Sequence, residues 1–251
     1  MDSLVQDNIL CIASYLNTKE KIRFLSMSQY FHTLKDKVYY YDKMIMSNKK
    51  RYKKKIHELW YYDRFTNIET NTLRYKLPKS SMQLTFGDIF NDNIRGRIPN
   101  TITHLTFGAN FNGLTNKCIP NYVTHLTFGC RFNSDITDCI PNSVTHLTFG
   151  YKFNQPIEKC IPNSVIHLTF GYKFNQNIKH CIPNSVTHLT FGYDFNQPIE
   201  GCIPNSVTHL KLDNHFDQDI KNLPDSIIEL KISYHYRKKI IVRHWCKLIR
   251  Y

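Results

Sequence analysis

The sequence lacks most of the short motifs that mark enzymes, secreted proteins and membrane proteins. Its 251 residues contain no P-loop, no dinucleotide-binding glycine fingerprint and no nucleophile elbow, which argues against nucleotide chemistry and covalent catalysis. No apolar run is long enough to span a bilayer, and the N-terminus does not read as a signal peptide. We therefore expect an intracellular, cytoplasmic, non-enzymatic protein with no catalytic residues, no cofactor, no membrane partner and no small-molecule substrate.

Paired cysteine motifs are missing as well. None of the eight cysteines belongs to a Cys-x-x-Cys motif, which argues against a zinc knuckle, so we predict no metal site. Five cysteines recur at a fixed interval, and they are Cys118, Cys139, Cys160, Cys181 and Cys202. Thiols stay reduced inside cells, so we interpret this column as small apolar filler.

Acidic residues are scarce in two segments. Lys and Arg number 33 against 20 Asp and Glu, which gives a formal net charge of +13. Residues 43–55 hold seven basic residues and residues 233–251 hold six, with no acid in either, so the rest of the chain is neutral. This distribution disfavours a basic groove for nucleic acid along the chain. The run Lys49–Lys55 is either a solvated linker or a nuclear localisation signal.

What the sequence does contain is a repeat. An apolar residue followed by Pro recurs every 21 residues from Leu77–Pro78 to Ile203–Pro204, and once more 20 residues later at Leu223–Pro224. This period predicts a solenoid in which each unit forms one coil. Within a unit, residues such as Leu168 and Phe170 share one face of a short strand. A single coil cannot bury that face, so the coils must stack and cover one another.

Stacking of similar units predicts vertical columns of equivalent side chains. One column holds the strand leucines, two hold phenylalanines, and a fourth holds amides that would bond the turn backbone. The leucine column is Leu84, Leu105, Leu126, Leu147, Leu168, Leu189, Leu210 and Leu230. The phenylalanine columns are Phe107, Phe128, Phe149, Phe170 and Phe191, continued by Leu212 and Ile232, and Phe90, Phe111, Phe132, Phe153, Phe174, Phe195 and Phe216. The amide column is Asn91, Asn112, Asn133, Asn154, Asn175 and Asn196, followed by Asp217.

A column of histidines occupies the opposite strand face. Its members are His104, His125, His146, His167, His188 and His209. The column could bind metal, sense pH or simply reflect duplication of the unit. A linear row does not surround an ion with ligands, so we disfavour metal.

These units resemble FNIP repeats, which are named for a Phe-Asn-x-Pro-Ile pattern. The pattern is complete at Phe153–Ile157 and at Phe195–Ile199, and the Pro is replaced in the other units. The resemblance covers roughly residues 76–232. It implies a leucine-rich-repeat-like parallel β solenoid of about eight coils that binds protein partners.

Residues that follow the strand glycine vary from coil to coil, unlike the columns. Tyr and Arg are the residue types that anchor protein interfaces, so these positions predict a contact patch for a partner. The predicted patch consists of Arg131, Tyr151, Lys152, Tyr172, Lys173 and Tyr193. The alternative is that this surface was merely copied along with the unit.

The first 45 residues share nothing with the repeat. Their apolar spacing predicts three short helices, which begin near Asp7, at Thr18 and at Ser28 or Gln29. The segment resembles an F-box at Leu4, Asp7, Ile9, Ile12, Tyr15, Leu16, Ile22, Leu25 and Phe31. It departs from the F-box pattern at Val5, where that family has Pro, and at Met27–Gln29. The resemblance implies docking on the adaptor subunit of a cullin-RING ubiquitin ligase through Leu4, Ile9, Ile12, Leu16, Ile22, Leu25 and Phe31.

The two resemblances together predict an α+β chain with four parts. Residues 1–45 would be the F-box-like three-helix bundle, 46–76 a basic and partly helical connector, 77–232 the solenoid, and 233–251 a basic helical cap. This is the layout of a ligase substrate receptor, and proteins with this pairing are known from slime moulds and from giant DNA viruses of amoebae. The alternatives are a repeat scaffold or decoy without ligase recruitment, and a nucleic-acid binder acting through the basic flanks. The segment 233–251 would also suit a membrane-surface helix.

Overall fold

A computed structural model describes residues 3–46, 62–74, 76–113 and 117–251 of the chain, with the side chains of residues 3, 4 and 46 outside the described part. These residues form three α-helices, one 3-10 helix at Tyr62–Arg64 and eleven β-strands. The helices are α1 (Ser3–Ser14), α2 (Thr18–Phe24) and α3 (Gln29–His32). The strands are β1 (Met44–Met46), β2 (Asn67–Thr70), β3 (Gln83–Phe86), β4 (His104–Thr106), β5 (His125–Thr127), β6 (His146–Thr148), β7 (His167–Thr169), β8 (His188–Thr190), β9 (His209–Leu212), β10 (Glu229–Ile232) and β11 (Lys247–Arg250). The chain divides into two compact units, residues 1–87 and 88–251.

Three helices open the first unit. Ser28 caps α3 by accepting a hydrogen bond from the backbone N–H of Phe31, in line with the sequence prediction. The cap of α2 is Asn17 instead of Thr18, because Asn17 and Glu20 form a reciprocal capping box. Asp7 lies inside α1 and does not cap it.

Three parallel strands complete the first unit, in the order β1-β2-β3. Ile68 on β2 pairs in register with Leu84 on β3, and both side chains are buried. Parallel strands therefore begin before residue 77, where the sequence repeat becomes visible. The predicted connector helix around residues 56–62 lies outside the described residues except for Tyr62, which begins the 3-10 helix.

The second unit stacks β4 to β11 in chain order, all parallel. Leu105 pairs directly with Leu126, and every later leucine pairs with its equivalent up to Leu210 and Leu230. In the phenylalanine column that begins at Phe107, ring centroids are 5.5–5.6 Å apart. Rings of the other column are 5.9–6.4 Å apart from Phe111 to Phe216. The predicted columns are therefore confirmed, and they form a continuous aromatic core.

The predicted amide ladder is confirmed too. The backbone N–H of Asn154 donates to the Oδ1 atom of Asn133 at 2.8 Å, and the N–H of Asn175 donates to Asn154 Oδ1 at 2.9 Å. The same bond recurs at every coil from Asn112 to Asp217. Each side chain thus satisfies a turn N–H of the next coil, which would otherwise be left without a partner.

The predicted C-terminal helical cap is wrong. Residues 233–251 contain no helix and form one further coil, whose strand β11 pairs with β10 so that Leu248 lies opposite Leu230. Tyr236 is buried and stacks on Phe216 with ring centroids 6.0 Å apart, which extends the phenylalanine column. The apolar stretch at residues 240–242 is too short to distinguish helix from strand by its spacing. The expectation of a membrane-surface helix here fails for the same reason.

One corner of the coil holds residues in the left-handed region of the backbone. Lys117, Asp138, Lys159 and His180 have φ between 54° and 58°, and glycine fills the equivalent position at Gly201, where φ is 66°. A side chain in this conformation costs about 1–2 kcal/mol, which glycine avoids.

We expect Lys159→Gly to stabilise the protein by about 0.5–1 kcal/mol, the strain relieved less the extra backbone entropy lost on folding. Lys179→Gly is the control, because Lys179 has no positive φ and its replacement should destabilise the protein by about 0.5–1 kcal/mol. Urea denaturation of both variants measures the difference. A lower stability for Lys159→Gly than for Lys179→Gly would contradict the assignment of strain.

Candidate partner-binding groove

The turn after each strand presents a tyrosine in three successive coils. The backbone N–H of Lys173 donates to Tyr151 O at 2.9 Å, and that of Asp194 donates to Tyr172 O at 2.9 Å, which fixes the turns in register. The rings of Tyr151 and Tyr172 stack with centroids 4.6 Å apart, and those of Tyr172 and Tyr193 are also 4.6 Å apart. The result is a short external stack of tyrosines beside the phenylalanine core.

Charged groups accompany this tyrosine stack. Lys173 Nζ lies 2.7 Å from Asp194 Oδ2, and His215 Nδ1 lies 3.4 Å from Asp194 Oδ1. The hydrogen bond to Asp194 raises the pKa of Lys173 above its ordinary value. Lys152 is exposed and forms no ion pair with any described residue. Asp194 is therefore shared between two basic side chains, whereas Lys152 keeps its charge available.

These groups line an open groove of about 950 Å³, called the tyrosine groove below. Its lining residues are Asn133, Tyr151, Lys152, Asn154, Lys173, Asn175, Asp194, Asn196 and His215. Tyr172 and Tyr193 continue the stack that begins at Tyr151 in its wall. Of the residues predicted to contact a partner, Tyr151, Lys152 and Lys173 line the groove, whereas Tyr172, Tyr193 and Arg131 do not. The Nη1 atom of Arg131 donates to Asn110 Oδ1 at 2.9 Å.

Sequence reasoning missed several lining residues of the tyrosine groove. Asp194 and His215 occupy the position that holds Lys152 and Lys173 in the two preceding coils, so this change of charge was the available signal. The asparagines were assigned to the turn backbone alone, although their side chains also reach the groove surface.

The histidine column forms a stack of its own on the outer strand face. Neighbouring imidazole centroids from His104 to His209 are 4.1–4.3 Å apart. Thr145 Oγ1 lies 2.9 Å from His146 Nδ1 and also donates to Thr124 O at 3.2 Å. The same arrangement recurs at His125, His188 and His209. A hydroxyl has one proton to donate, so His146 Nδ1 carries its own proton and Nε2 is the acceptor. The described residues contain no cluster of His, Cys, Asp or Glu able to hold a metal ion.

The stacked arrangement lowers the pKa of several histidines of the histidine column. Partial burial and the neighbouring imidazoles lower the pKa of His125, His167 and His188 below its ordinary value. The column is continued by Glu229 and Lys247, which pair in register beyond His209, and Glu229 weakly opposes the effect at His188. Below a pH of about 6.5 the unfolded chain therefore binds more protons than the folded chain.

We expect the melting temperature to fall as the pH is lowered from 7.5 to 5, because stability linked to a lowered pKa is lost on acidification. In the triple variant His125→Asn, His167→Asn and His209→Asn, no two histidines of the column remain adjacent. Its melting temperature should therefore fall less steeply with decreasing pH. His180→Asn is the control, since His180 lies outside the stack. Thermal melts followed by circular dichroism provide the measurement. Equal pH slopes for the triple variant and the parent would refute the role of the stack.

The residues predicted to bind an adaptor divide between the interior and the surface of the first unit. Ile9 and Leu25 are buried, whereas Ile12 is 52% exposed. Leu16, Ile22 and Phe31 are half-buried, and the side chain of Leu4 lies outside the described residues. Of these residues, Ile12 is thus the one most available to a partner.

The cysteine column lies inside the solenoid, and all eight cysteines are free thiols. Cys118, Cys139, Cys160 and Cys181 are buried, and Cys202 is half-buried. Burial raises the pKa of the Cys139 thiol to about 11, so this thiol stays protonated and unreactive at neutral pH. Among the described residues, no helix has the length and apolar character needed to cross a bilayer.

The stacked parallel strands place the chain in the class of repeat solenoids related to leucine-rich repeats. The chain is similar to a solved protein described as "The crystal structure of CroV588 a novel circular LRR protein structure", with 38% sequence identity and a TM-score of 0.62. The match covers 75% of this chain and 34% of that one, so this chain matches about a third of that protein. No curated protein matches it.

The FNIP Repeat family model matches residues 110–152, 153–194 and 195–241, which together make up more than half of the chain. The chain belongs to the FNIP repeat family. The last matched segment runs beyond residue 232 into the coil that replaces the expected cap. A repeat solenoid of this kind is typically a non-enzymatic scaffold for protein interactions.

Proposed function

We propose that the protein is a non-catalytic substrate receptor of a cullin-RING ubiquitin ligase. In this proposal the helices of the first unit dock on the adaptor subunit, and the tyrosine groove of the second unit binds the target protein. The receptor contributes proximity and orientation, and the chemistry is carried out by other subunits. Such a role places the protein in the cytoplasm. The run Lys49–Lys55, which would serve nuclear import, lies outside the described residues.

The observation that supports adaptor docking is the uneven burial of helix α1. Ile9 and Ala13 are buried, whereas Val5, Ile12 and Tyr15 are 42%, 52% and 85% exposed. Val5 and Ile12 are seven positions apart, so they lie on one side of the helix, and Tyr15 directly follows its last residue. An exposed apolar stripe on so short a helix suits burial against a partner.

Replacing Ile12 by aspartate should weaken binding to a purified adaptor by about thirtyfold, since a central apolar anchor is worth about 2 kcal/mol. Ile241→Asp is the matched control, because Ile241 is 50% exposed and lies in the second unit. Pull-down and titration calorimetry with both variants measure the effect. Adaptor binding at parental strength by Ile12→Asp would refute the ligase role.

A second candidate is a scaffold whose helices serve only to support the first strands. Contacts within the first unit favour it: Lys21 Nζ donates to Tyr39 O at 3.2 Å, and the backbone N–H of Asp42 donates to Thr18 Oγ1 at 3.1 Å. In that case Ile12→Asp would leave every interaction of the protein unchanged, and no adaptor would bind even the parent chain.

A further inference from the structure

We infer that the tyrosine groove binds an acidic segment of its protein partner. This inference rests on the proposed role of the groove as the target-binding surface, and it adds the chemistry of the bound segment. The inference follows from the balance of hydrogen-bond donors and acceptors that the groove leaves unused.

Two asparagines in the middle of the groove, Asn154 and Asn175, have free side-chain donors and occupied side-chain acceptors. Asn154 Oδ1 accepts hydrogen bonds from the backbone N–H of Asn175 at 2.9 Å and from Gln176 Nε2 at 3.0 Å. Asn175 Oδ1 likewise accepts from the N–H of Asn196 and from Gln197 Nε2. These bonds fix the orientation of each amide, so its oxygen faces the ladder and its NH₂ group is the free end. No described residue accepts a hydrogen bond from the Nδ2 atom of Asn154 or Asn175.

The remaining polar groups add donors and positive charge. The hydroxyl group of Tyr151 belongs to the groove wall, those of Tyr172 and Tyr193 belong to the stack that continues from it, and none of the three bonds another described residue. Burial and the neighbouring tyrosines raise the pKa of Tyr172, so its hydroxyl keeps its proton at neutral pH. Lys152 contributes an exposed ammonium group that pairs with no described carboxylate.

The single carboxylate of the groove is already occupied. Asp194 receives Lys173 Nζ at 2.7 Å on one oxygen and His215 Nδ1 at 3.4 Å on the other. The groove therefore presents amide, hydroxyl and ammonium donors, and it contains no carboxylate that is free to accept their hydrogen bonds. Carboxylates accept several such hydrogen bonds at once, and bonds to charged acceptors are the stronger kind.

The groove also has the dimensions of a short extended peptide. Its four asparagines, Asn133, Asn154, Asn175 and Asn196, span three steps between coils, which is about 14 Å at a strand spacing of about 4.8 Å. An extended chain covers that length with about four residues. We therefore assign to the groove a segment of about this length that carries Asp or Glu side chains.

Fluorescence anisotropy tests the inference with the full-length protein and labelled eight-residue peptides. The probe carries glutamate at alternate positions, and its counterpart carries glutamine at the same positions. We expect the glutamate peptide to bind at least about fivefold more tightly, with the difference shrinking as salt is added. Lys152→Glu should weaken binding of the glutamate peptide by about fivefold, whereas Lys179→Glu, an exposed lysine outside the groove, should change it by less than about twofold.

Equal binding of the two peptides would overturn the inference, as would equal losses from Lys152→Glu and Lys179→Glu. Tighter binding of a single-stranded oligonucleotide, lost in Lys152→Glu, would also overturn it and would favour nucleic acid as the ligand. Adaptor binding is measured on the same preparations. Loss of the peptide preference with adaptor binding intact removes this inference alone, whereas loss of adaptor binding alone removes the proposed ligase role and leaves the groove chemistry standing.

Discussion

We expect Gly150→Ala to destabilise the second unit by about 3 kcal/mol or more, which makes it one of the most damaging single substitutions in the chain. A Cβ atom at Gly150 would lie 2.0 Å from the carbonyl oxygen of Gly129 and 2.9 Å from the backbone nitrogen of Cys130. Both neighbours are backbone atoms of the preceding coil, so no side chain can move aside. The same close approach of the preceding coil's backbone requires glycine at Gly129, Gly171 and Gly192.

Gly113→Ala is the control for this substitution, because a Cβ at Gly113 meets Asn91 Oδ1 at an ordinary 3.6 Å. Its cost should stay below about 1 kcal/mol. Urea denaturation followed by circular dichroism compares the two variants. Equal stability of Gly150→Ala and Gly113→Ala would show that the coils are further apart than described.

The second large effect is expected from Phe153→Ala, which should lower the free energy of unfolding by about 3–5 kcal/mol. The ring of Phe153 is fully buried, lies 3.9 Å from that of Phe149, and stacks between Phe132 and Phe174 at 5.9 and 6.0 Å. Its removal leaves a cavity in the middle of a column in which each coil is supported only by its neighbours. We therefore expect a loss of cooperativity along with the loss of stability.

Tyr151→Ala is the matched control for this effect. Tyr151 lies two residues from Phe153 and its side chain is 46% exposed, so its truncation should cost less than about 1 kcal/mol. Denaturant titrations monitored by far-ultraviolet circular dichroism measure both variants. A cost for Phe153→Ala no greater than that for Tyr151→Ala would contradict the described aromatic core.

The repetitive part of the fold was predictable because position within the unit determines position in space. Leu105 and Leu126 occupy the same place in consecutive units, so their register follows once the units are known to stack. Asn133 and Asn154 follow in the same way, because each turn presents the same unpaired N–H to the coil before it.

The coils at the two ends were not predictable on this basis. Strands β1 and β2 lie at Met44–Met46 and Asn67–Thr70, where the chain does not follow the 21-residue interval. In the last coil Tyr236 replaces the column phenylalanine, and a short apolar run led to the wrong expectation of a helix. Short strands outside a repeat owe their conformation to tertiary pairing, which local spacing does not encode.

The tyrosine groove was predictable in part. Tyr151 and Lys152 were identified because their positions vary between coils and because tyrosine favours interfaces. The ion pairs of Asp194 with Lys173 and His215 join three separate coils, so they became visible only once the coils were stacked.

The amide ladder has a consequence for how the chain can change its length. Each internal coil accepts from its successor the same hydrogen bond that it donates to its predecessor, so the interior has no unique member. A duplication or loss of 21 residues inside the ladder would therefore bring equivalent coils next to each other. Every turn N–H would still find an asparagine Oδ1 atom as its acceptor. Chains of this kind can therefore grow or shrink by whole units during evolution.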